Sequence, residues 1–204
     1  MQTPNTRLQK VADAYNRRAT EYSTVLGHID GTSPKDREQI QTWARAVSGS
    51  ICDLGCGPGH WTNFLHTNAV SVCGFDPGRE FINIARSNFP HLLFTQGTAK
   101  DLPAQTFDGI LAWYSLIHTH PEELHYELRS IARALKPGGH LLIGFFTDDD
   151  VKPFDHSITE AWFYPLKEME KRLTKAGFTP ITSYTRHNAG ARPHGSIEAV
   201  LTAR

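Results

Sequence analysis

Hydrophobic positions at Leu8, Val11, Ala12, Tyr15, Ala19, Tyr22 and Leu26 recur at helical spacing, while Arg7, Lys10, Asp13, Arg17 and Arg18 fall on other faces. That period predicts an amphipathic helix over residues 6 to 26, one that needs a body to lie against. Ser33, Pro34 and Asp36 read as an N-cap, a first-turn proline and an acid at the positive end of a second helix, which runs to about Ser48 and is closed by Gly49. From there the pattern alternates. Strands are predicted at 51–54, 70–75, 92–95, 107–113 and 140–146, with helices at 60–67, 79–88 and 122–136. Runs such as ILAWY and LLIGFF are apolar throughout rather than at every second residue, as expected of parallel strands covered on both faces. Lys136-Pro137-Gly138-Gly139 reads as a stop and a turn before the fifth strand.

After an acidic start at Asp148 to Asp150, the stretch from Thr147 to Tyr164 reads as a loop, followed by a helix from Pro165 to Ala176 that ends at Gly177. Two β-rich segments follow, at 178–186 and 196–203. Their connection, RHNAGARPHG, is too short for a crossover helix, so the two should pair antiparallel. The expected fold class is α/β: a doubly wound sheet of about seven strands, mostly parallel with an antiparallel C-terminal pair, and helices on both faces.

Composition narrows the setting. A chain of 204 residues with 39% hydrophobic content can bury one core, so a single domain is expected over 1–204. Lysine plus arginine and aspartate plus glutamate both total 21, which gives no field for a nucleic acid or an anionic membrane and leaves a small-molecule partner. Cys52, Cys56 and Cys73 fall in or beside buried strands and read as reduced thiols of a cytoplasmic protein. The start MQTPNTRLQK lacks a signal-peptide pattern, and no run approaches the ~20 apolar residues that span a bilayer.

The segment VSGSICDLGCGPGHWTNFL places Gly55, Gly57 and Gly59 between a buried strand and a helix. Glycines there permit positive φ and close approach of a ligand to the backbone, while the free N–H groups of the helix start face the same point. A purely conformational turn also fits. Asp76 ends the next strand, where a carboxylate can accept both hydroxyls of a ribose. Capping the helix that begins near Arg79 is its other use, and the two are compatible. His60 stands where a GxGxxG dinucleotide fingerprint needs its last glycine, which tilts the reading away from NAD.

In order along the chain, DLGCGPG, FDP, GTAKDLP, FDGILAWYSLIH and ALKPGGHLLI resemble a class I S-adenosylmethionine-dependent methyltransferase of the small-molecule type, over roughly residues 50 to 146. LKEMEKRLTKAGF is similar to that family's last helix. The resemblance implies a Rossmann-like sheet, S-adenosyl-L-methionine as methyl donor and S-adenosyl-L-homocysteine as product. It divides the chain into a helical lid at 1–48, a cofactor-binding core at 49–146 and an acceptor-side loop, helix and strand pair at 147–204. By the same resemblance, the backbone from Gly55 through Cys56 and Gly57 to Gly59, and at Trp113, holds the cofactor's amino acid, with Asp53 helping through the turn. Asp76 takes the ribose and Pro77 packs on the adenine. The Ala99 backbone and the Thr98 side chain close over the adenine edge, although many relatives carry an acid in place of Thr98. Tyr15, Ala19 and Tyr22 resemble a YxxxAxxY pattern that covers the methionine end. Seven residues make about two helical turns, so both tyrosines share a face, and plain core packing is the alternative.

Methyl transfer from a sulfonium is an in-line displacement, so proximity supplies much of the acceleration, and rings such as Trp113, Tyr114 or Tyr15 can stabilise the cation. An acceptor bearing a proton gains roughly 10² to 10⁴ from a base. His118 is the candidate, with a structural histidine as the alternative. His120, Glu122 and Glu123 raise a metal site, but the acids follow Pro121 as first-turn residues and no third ligand has the right spacing, so no metal is expected. Phe154, Trp162, Phe163 and Tyr164 make the 147–164 loop apolar, which suits either a small, partly aromatic acceptor touched by Tyr114, Phe154, Trp162 and Tyr164, or a lid packed on the sheet. Arg186, Arg192 and His194 form a basic tip that could meet an anionic group of the acceptor. An NAD-type dehydrogenase and a binding module without chemistry stay open, as do the attacking atom and the choice between monomer and homodimer.

Overall fold

The computed structural model describes residues 4–67, 71–187 and 190–202; the expected strand positions 70 and 203 lie outside it, as do the side chains of Leu8 and Leu26. Two helices, α1 (Pro4–Leu26) and α2 (Pro34–Ala46), precede an alternation of β1 (Ser50–Leu54), α3 (His60–His66), β2 (Ser71–Asp76), α4 (Arg79–Asn88), β3 (Leu93–Gln96) and β4 (Phe107–Trp113). Then come α5 (Leu124–Ala134), β5 (Leu135–Phe146), β6 (Lys152–Asp155), β7 (Glu160–Phe163), α6 (Leu166–Lys175), β8 (Phe178–Arg186) and β9 (His194–Leu201).

The described strands join one sheet of nine in the order β3-β2-β1-β4-β5-β7-β6, with β9 running antiparallel along β5 and β8 outside it. The helices cover both faces because side chains on successive strand residues point oppositely. Ile110 and Ala112 of β4, with Leu141 and Ile143 of β5, pack under α5 and α6 against Leu128, Ile131 and Leu173. Leu111 and Leu142, one residue along, pack with Ile51 against Trp43 of α2 and Leu65 of α3. Each such fully buried aliphatic side chain contributes roughly 1.5–3 kcal/mol. No described helix is long and apolar enough to cross a membrane.

Three local expectations are corrected. The stretch expected as a loop carries the β6–β7 hairpin, which adds two short strands to the expected sheet of about seven. Each strand there is four residues long and KPFD contains a proline, too little for a period to show. The hairpin is held instead by tertiary pairing: Phe163 pairs with Phe146 at the tip of β5, and Trp162 N donates to Ile117 O at 2.9 Å. The Lys136–Gly139 turn does not precede β5 but loops out within it, between Leu135 opposite Phe107 and His140 opposite Gly109. Finally, Val47 caps α2, and Gly49 serves a different end: at φ 141° its missing Cβ would lie 2.2 Å from Asp108 Oδ2.

Helix α1 crosses the C-terminal edge of the parallel strands, whereas α2 packs into the core. Arg7 Nη1 donates to Glu123 Oε1 at 2.9 Å, Asn16 Oδ1 accepts Glu80 N at 3.1 Å at the start of α4, and Arg18 donates to the Ser157 carbonyl in the β6–β7 turn. The helix is thereby tied to three elements around one cleft.

Candidate active site

The floor of the cleft is the turn after β1. Gly55, Gly57 and Gly59 all have positive φ, at 77°, 52° and 88°. A Cβ on Gly55 would sit 2.2 Å from Ser115 Cβ, so the turn needs glycine there both for conformation and for room. Gly55 N and Cys56 N donate to Phe75 O at 2.7 and 3.0 Å, which draws the turn to the end of β2. Asp76, which ends β2, accepts Gly57 N at 2.9 Å on Oδ2 and Gly78 N at 2.7 Å on Oδ1. Burial pushes its carboxyl up to about 6 against the pull of those two donors. Asp53 lies beneath the turn, takes the Thr62 hydroxyl at 2.7 Å, and is pushed up to about 7 by burial.

Around this floor is a cavity of about 350 Å³ walled by Tyr15 and Tyr22 from α1, Gly55, Cys56 and Gly57, Asp76 and Pro77, Trp113 at the end of β4, and Tyr114 and His118 after it. The structure brings these ten sequence-named residues together. Tyr114 adopts φ 56°, rare for a residue with a side chain, and the reversal it makes brings Ser115 against Gly55. Tyr15 and Tyr22 meet edge to face at 5.8 Å and both pack on Phe81 of α4, so they line the cavity and pack as a stripe at once.

His118 is held from two sides. Its Nδ1 lies 2.7 Å from the Glu160 carbonyl, which can only accept, so Nδ1 carries the hydrogen of the neutral ring. Nε2 then offers its lone pair, and the Tyr15 hydroxyl donates to it at 2.9 Å. Burial lowers the His118 pKa, with the Glu160 carbonyl opposing, and raises that of Tyr15, so both are neutral near pH 7. His156 and His60, also in the walls, are each pushed down to about 4, chiefly by burial.

His60 and His194 apart, the other residues that the sequence proposes for the site lie outside these walls. Asp53 supports the turn from below, and Gly59 backs onto Phe94 and Ala85 as the N-cap of α3. The Thr98 hydroxyl donates to its own capping partner Asp101 at 2.8 Å, and Ala99 is buried. Phe154 lies 4.2 Å from the Phe163 ring with the Arg192 guanidinium over its own ring, and Trp162 meets His120 edge to face. Tyr164 is 1% exposed in the core, its hydroxyl 3.4 Å from Thr119 O, because its position on leaving β7 turns it under the sheet. Arg186 is paired with Asp36 and Ser33 of the α2 start and lines a different cavity.

Sequence reasoning missed Phe81, Ser115, Phe146 and His156, and it named His194 only as part of a basic tip toward the acceptor. Phe146 was findable, since ligands of open α/β sheets sit at the carboxyl ends of the strands and Phe146 ends β5. His156 was hidden by the unrecognised hairpin. Among the described residues no three His, Cys, Asp or Glu groups are placed to hold a metal ion. Asp76 is the one carboxylate in the described walls, and no lysine or arginine stands there.

Comparison with known proteins adds sequence kinship. A family described as a methyltransferase domain matches residues 32–183. An uncharacterized methyltransferase of Synechocystis is 33% identical over 102 residues, which are 49% of this chain and 48% of that protein. The demethylmenaquinone methyltransferase of Lactococcus lactis is 28% identical over 223 residues, covering 90% of this chain and 87% of the relative. The chain spans about half the length of the Synechocystis protein and of similar mycobacterial methyltransferases. Among solved structures, 1,6-didemethyltoxoflavin-N1-methyltransferase of Burkholderia thailandensis, with its substrate and S-adenosylhomocysteine bound, superimposes with a TM-score of 0.80 at 20% identity, covering 100% of this chain and 92% of that one. At that identity the likeness is one of fold.

Proposed function

Since the chain belongs to the methyltransferase domain family, matched over residues 32–183, we propose that it transfers the methyl group of S-adenosyl-L-methionine to a small planar acceptor bearing an O–H or N–H. The observation that carries this reading is Asp76 at the lip of the glycine turn, facing a cavity whose other described walls are neutral and largely aromatic.

The residues present fit that donor. Ser115 Oγ and His60 Nδ1 are buried in the cavity walls without a hydrogen-bond partner among the described residues, polar atoms that a zwitterionic ligand can engage. The backbone of Gly55 to Gly57 and of Trp113 would hold the amino-acid end, Asp76 the ribose hydroxyls, and Pro77 the adenine. When bound, S-adenosyl-L-methionine supplies an electrophilic methyl group on a sulfonium. Tyr15 and Tyr22 cover that end and present rings to the cation.

His118 serves as the base. Its Nε2 receives the acceptor's proton either directly or through Tyr15, whose own hydrogen already points at Nε2. The Glu160 carbonyl keeps the Nδ1 hydrogen throughout and stabilises the charged ring. Phe146 and His156 offer flat faces beside His118 for an aromatic acceptor. The three cysteines are free thiols, which supports a reducing, cytoplasmic setting.

Titration calorimetry with S-adenosylhomocysteine tests the donor site, and release of that product over a panel of phenols and N-heteroaromatics tests the reaction. Absence of binding would sink the proposal.

A further inference from the structure

A second, larger cavity of about 580 Å³ lies between α2 and the β8–β9 hairpin. It is distinct from the methyl-transfer cleft but shares Trp113, Tyr114 and His194 with it, and the Tyr114 hydroxyl meets His194 Nδ1 at 2.6 Å in that common wall. Its volume falls within the roughly 300–1,000 Å³ of small-molecule sites.

Two of its lining residues carry donors with nothing to donate to. Trp43 is 2% exposed, and its indole N–H has no acceptor among the described residues. Arg186 Nε–H is buried in the same condition, although Nη1 of that side chain is taken by Asp36 and by Ser33 Oγ at 3.1 Å. Gln39 and Ser196, by contrast, satisfy each other at 2.9 and 3.1 Å. Both free groups can only donate, so a complementary ligand must bring acceptor atoms.

Charge decides what kind of acceptor. Asp36 already balances Arg186, and Glu38 and Glu198 also line the cavity against Lys35, so no surplus of positive charge awaits an anion. Trp43, Trp113 and Tyr184 make the lining partly aromatic. We propose that this cavity binds a neutral, planar aromatic molecule carrying carbonyl oxygens, at a site separate from the methyl donor's. The proposal rests on α2 and the hairpin and does not depend on the reaction assigned to the cleft.

Coumarin is a suitable probe, with coumarin-3-carboxylate as its anionic counterpart, and equilibrium dialysis against the whole chain reads both. Coumarin should bind one per chain, with or without saturating S-adenosylhomocysteine, and the carboxylate about tenfold more weakly because its charge stays uncompensated. Trp43→Phe keeps an aromatic ring but removes the N–H with the five-membered half of the indole, and should weaken coumarin at least about three- to tenfold, the worth of one hydrogen bond. Tyr184→Ala is a second test that leaves the fold in place, since Tyr184 is 57% exposed, and it should also weaken binding. The proposal is overturned by absence of saturable binding, by one-for-one displacement with S-adenosylhomocysteine, by equal or tighter binding of the carboxylate, or by two unaffected variants. A chain that binds coumarin but no S-adenosylhomocysteine would refute the donor site and leave this one standing.

Discussion

The Tyr15 hydroxyl and His118 Nε2 meet across the cleft at 2.9 Å although 103 residues separate them, and the Glu160 carbonyl 2.7 Å behind the imidazole fixes which of the two donates. The pair joins the helix over the cleft to the segment after β4, so under the proposed mechanism the helix that covers the site also positions its base.

Replacing His118 by alanine should lower turnover by about 10² to 10⁴ while leaving affinity for S-adenosylhomocysteine within about twofold. Tyr15→Phe keeps the ring packed on Phe81 and removes only the hydroxyl, so it should lower kcat with little change in cofactor affinity. Steady-state rates and calorimetry on both variants separate the proton path from mere covering; a His118→Ala enzyme with undiminished turnover ends the base assignment.

In the proposed donor site Asp76 would have to be ionised to accept two ribose hydroxyls, and its carboxyl is pushed up to about 6. Below that value protons compete with the cofactor, so the Kd for S-adenosylhomocysteine should rise about tenfold per pH unit on the acid side and level off above pH 7. Asp76→Asn should weaken binding about 10- to 100-fold at pH 8 and abolish most of the pH dependence. A flat profile in the unaltered protein would remove Asp76 from the site.

Asp53 has no such ligand. Its pKa rises from 3.8 to about 7 on folding, so the stability it contributes is fully present below pH 4 and is lost as pH rises through 7. That shift corresponds to roughly 4 kcal/mol. Asp53→Asn retains an acceptor for the Thr62 hydroxyl and should therefore raise the Tm of the ligand-free protein far more at pH 8 than at pH 4, as read by calorimetric melting.

Gly55→Ala meets two obstacles, a φ of 77° and the Ser115 Cβ at 2.2 Å. The conformation alone costs about 1–2 kcal/mol, and the overlap adds to it. In a denaturant double-mutant cycle, adding Ser115→Gly should recover the overlap but not the conformational part, giving a coupling of about 1 kcal/mol or more. Additive effects would mean that the two residues are not in contact.

How far these features were legible beforehand depends on how local they are. The parallel strands showed themselves as unbroken apolar runs because both of their faces are covered. The β6–β7 hairpin did not, since Phe163 and Trp162 draw their pairing from Phe146 and Ile117, far away in the chain. Asp76 and the glycines could be read because a turn and the strand end beside it leave a spaced signature. Tyr15 and His118 were each visible alone, but their contact depends on how α1 crosses the sheet. Tyr164 and Arg186 were drawn into the acceptor pocket by residue type, yet ring and charge do not say which way a side chain leaves its strand: one turns under the sheet and the other reaches α2.

The atom that orients His118 belongs to a peptide group, and every amino acid at position 160 would furnish it. Sequence drift in that hairpin can therefore remodel the surface that, on the proposed function, an acceptor would meet, while the imidazole keeps its tautomer. Only a change in the path of the chain itself would disturb it, so specificity can diversify here without the proton chemistry being reinvented.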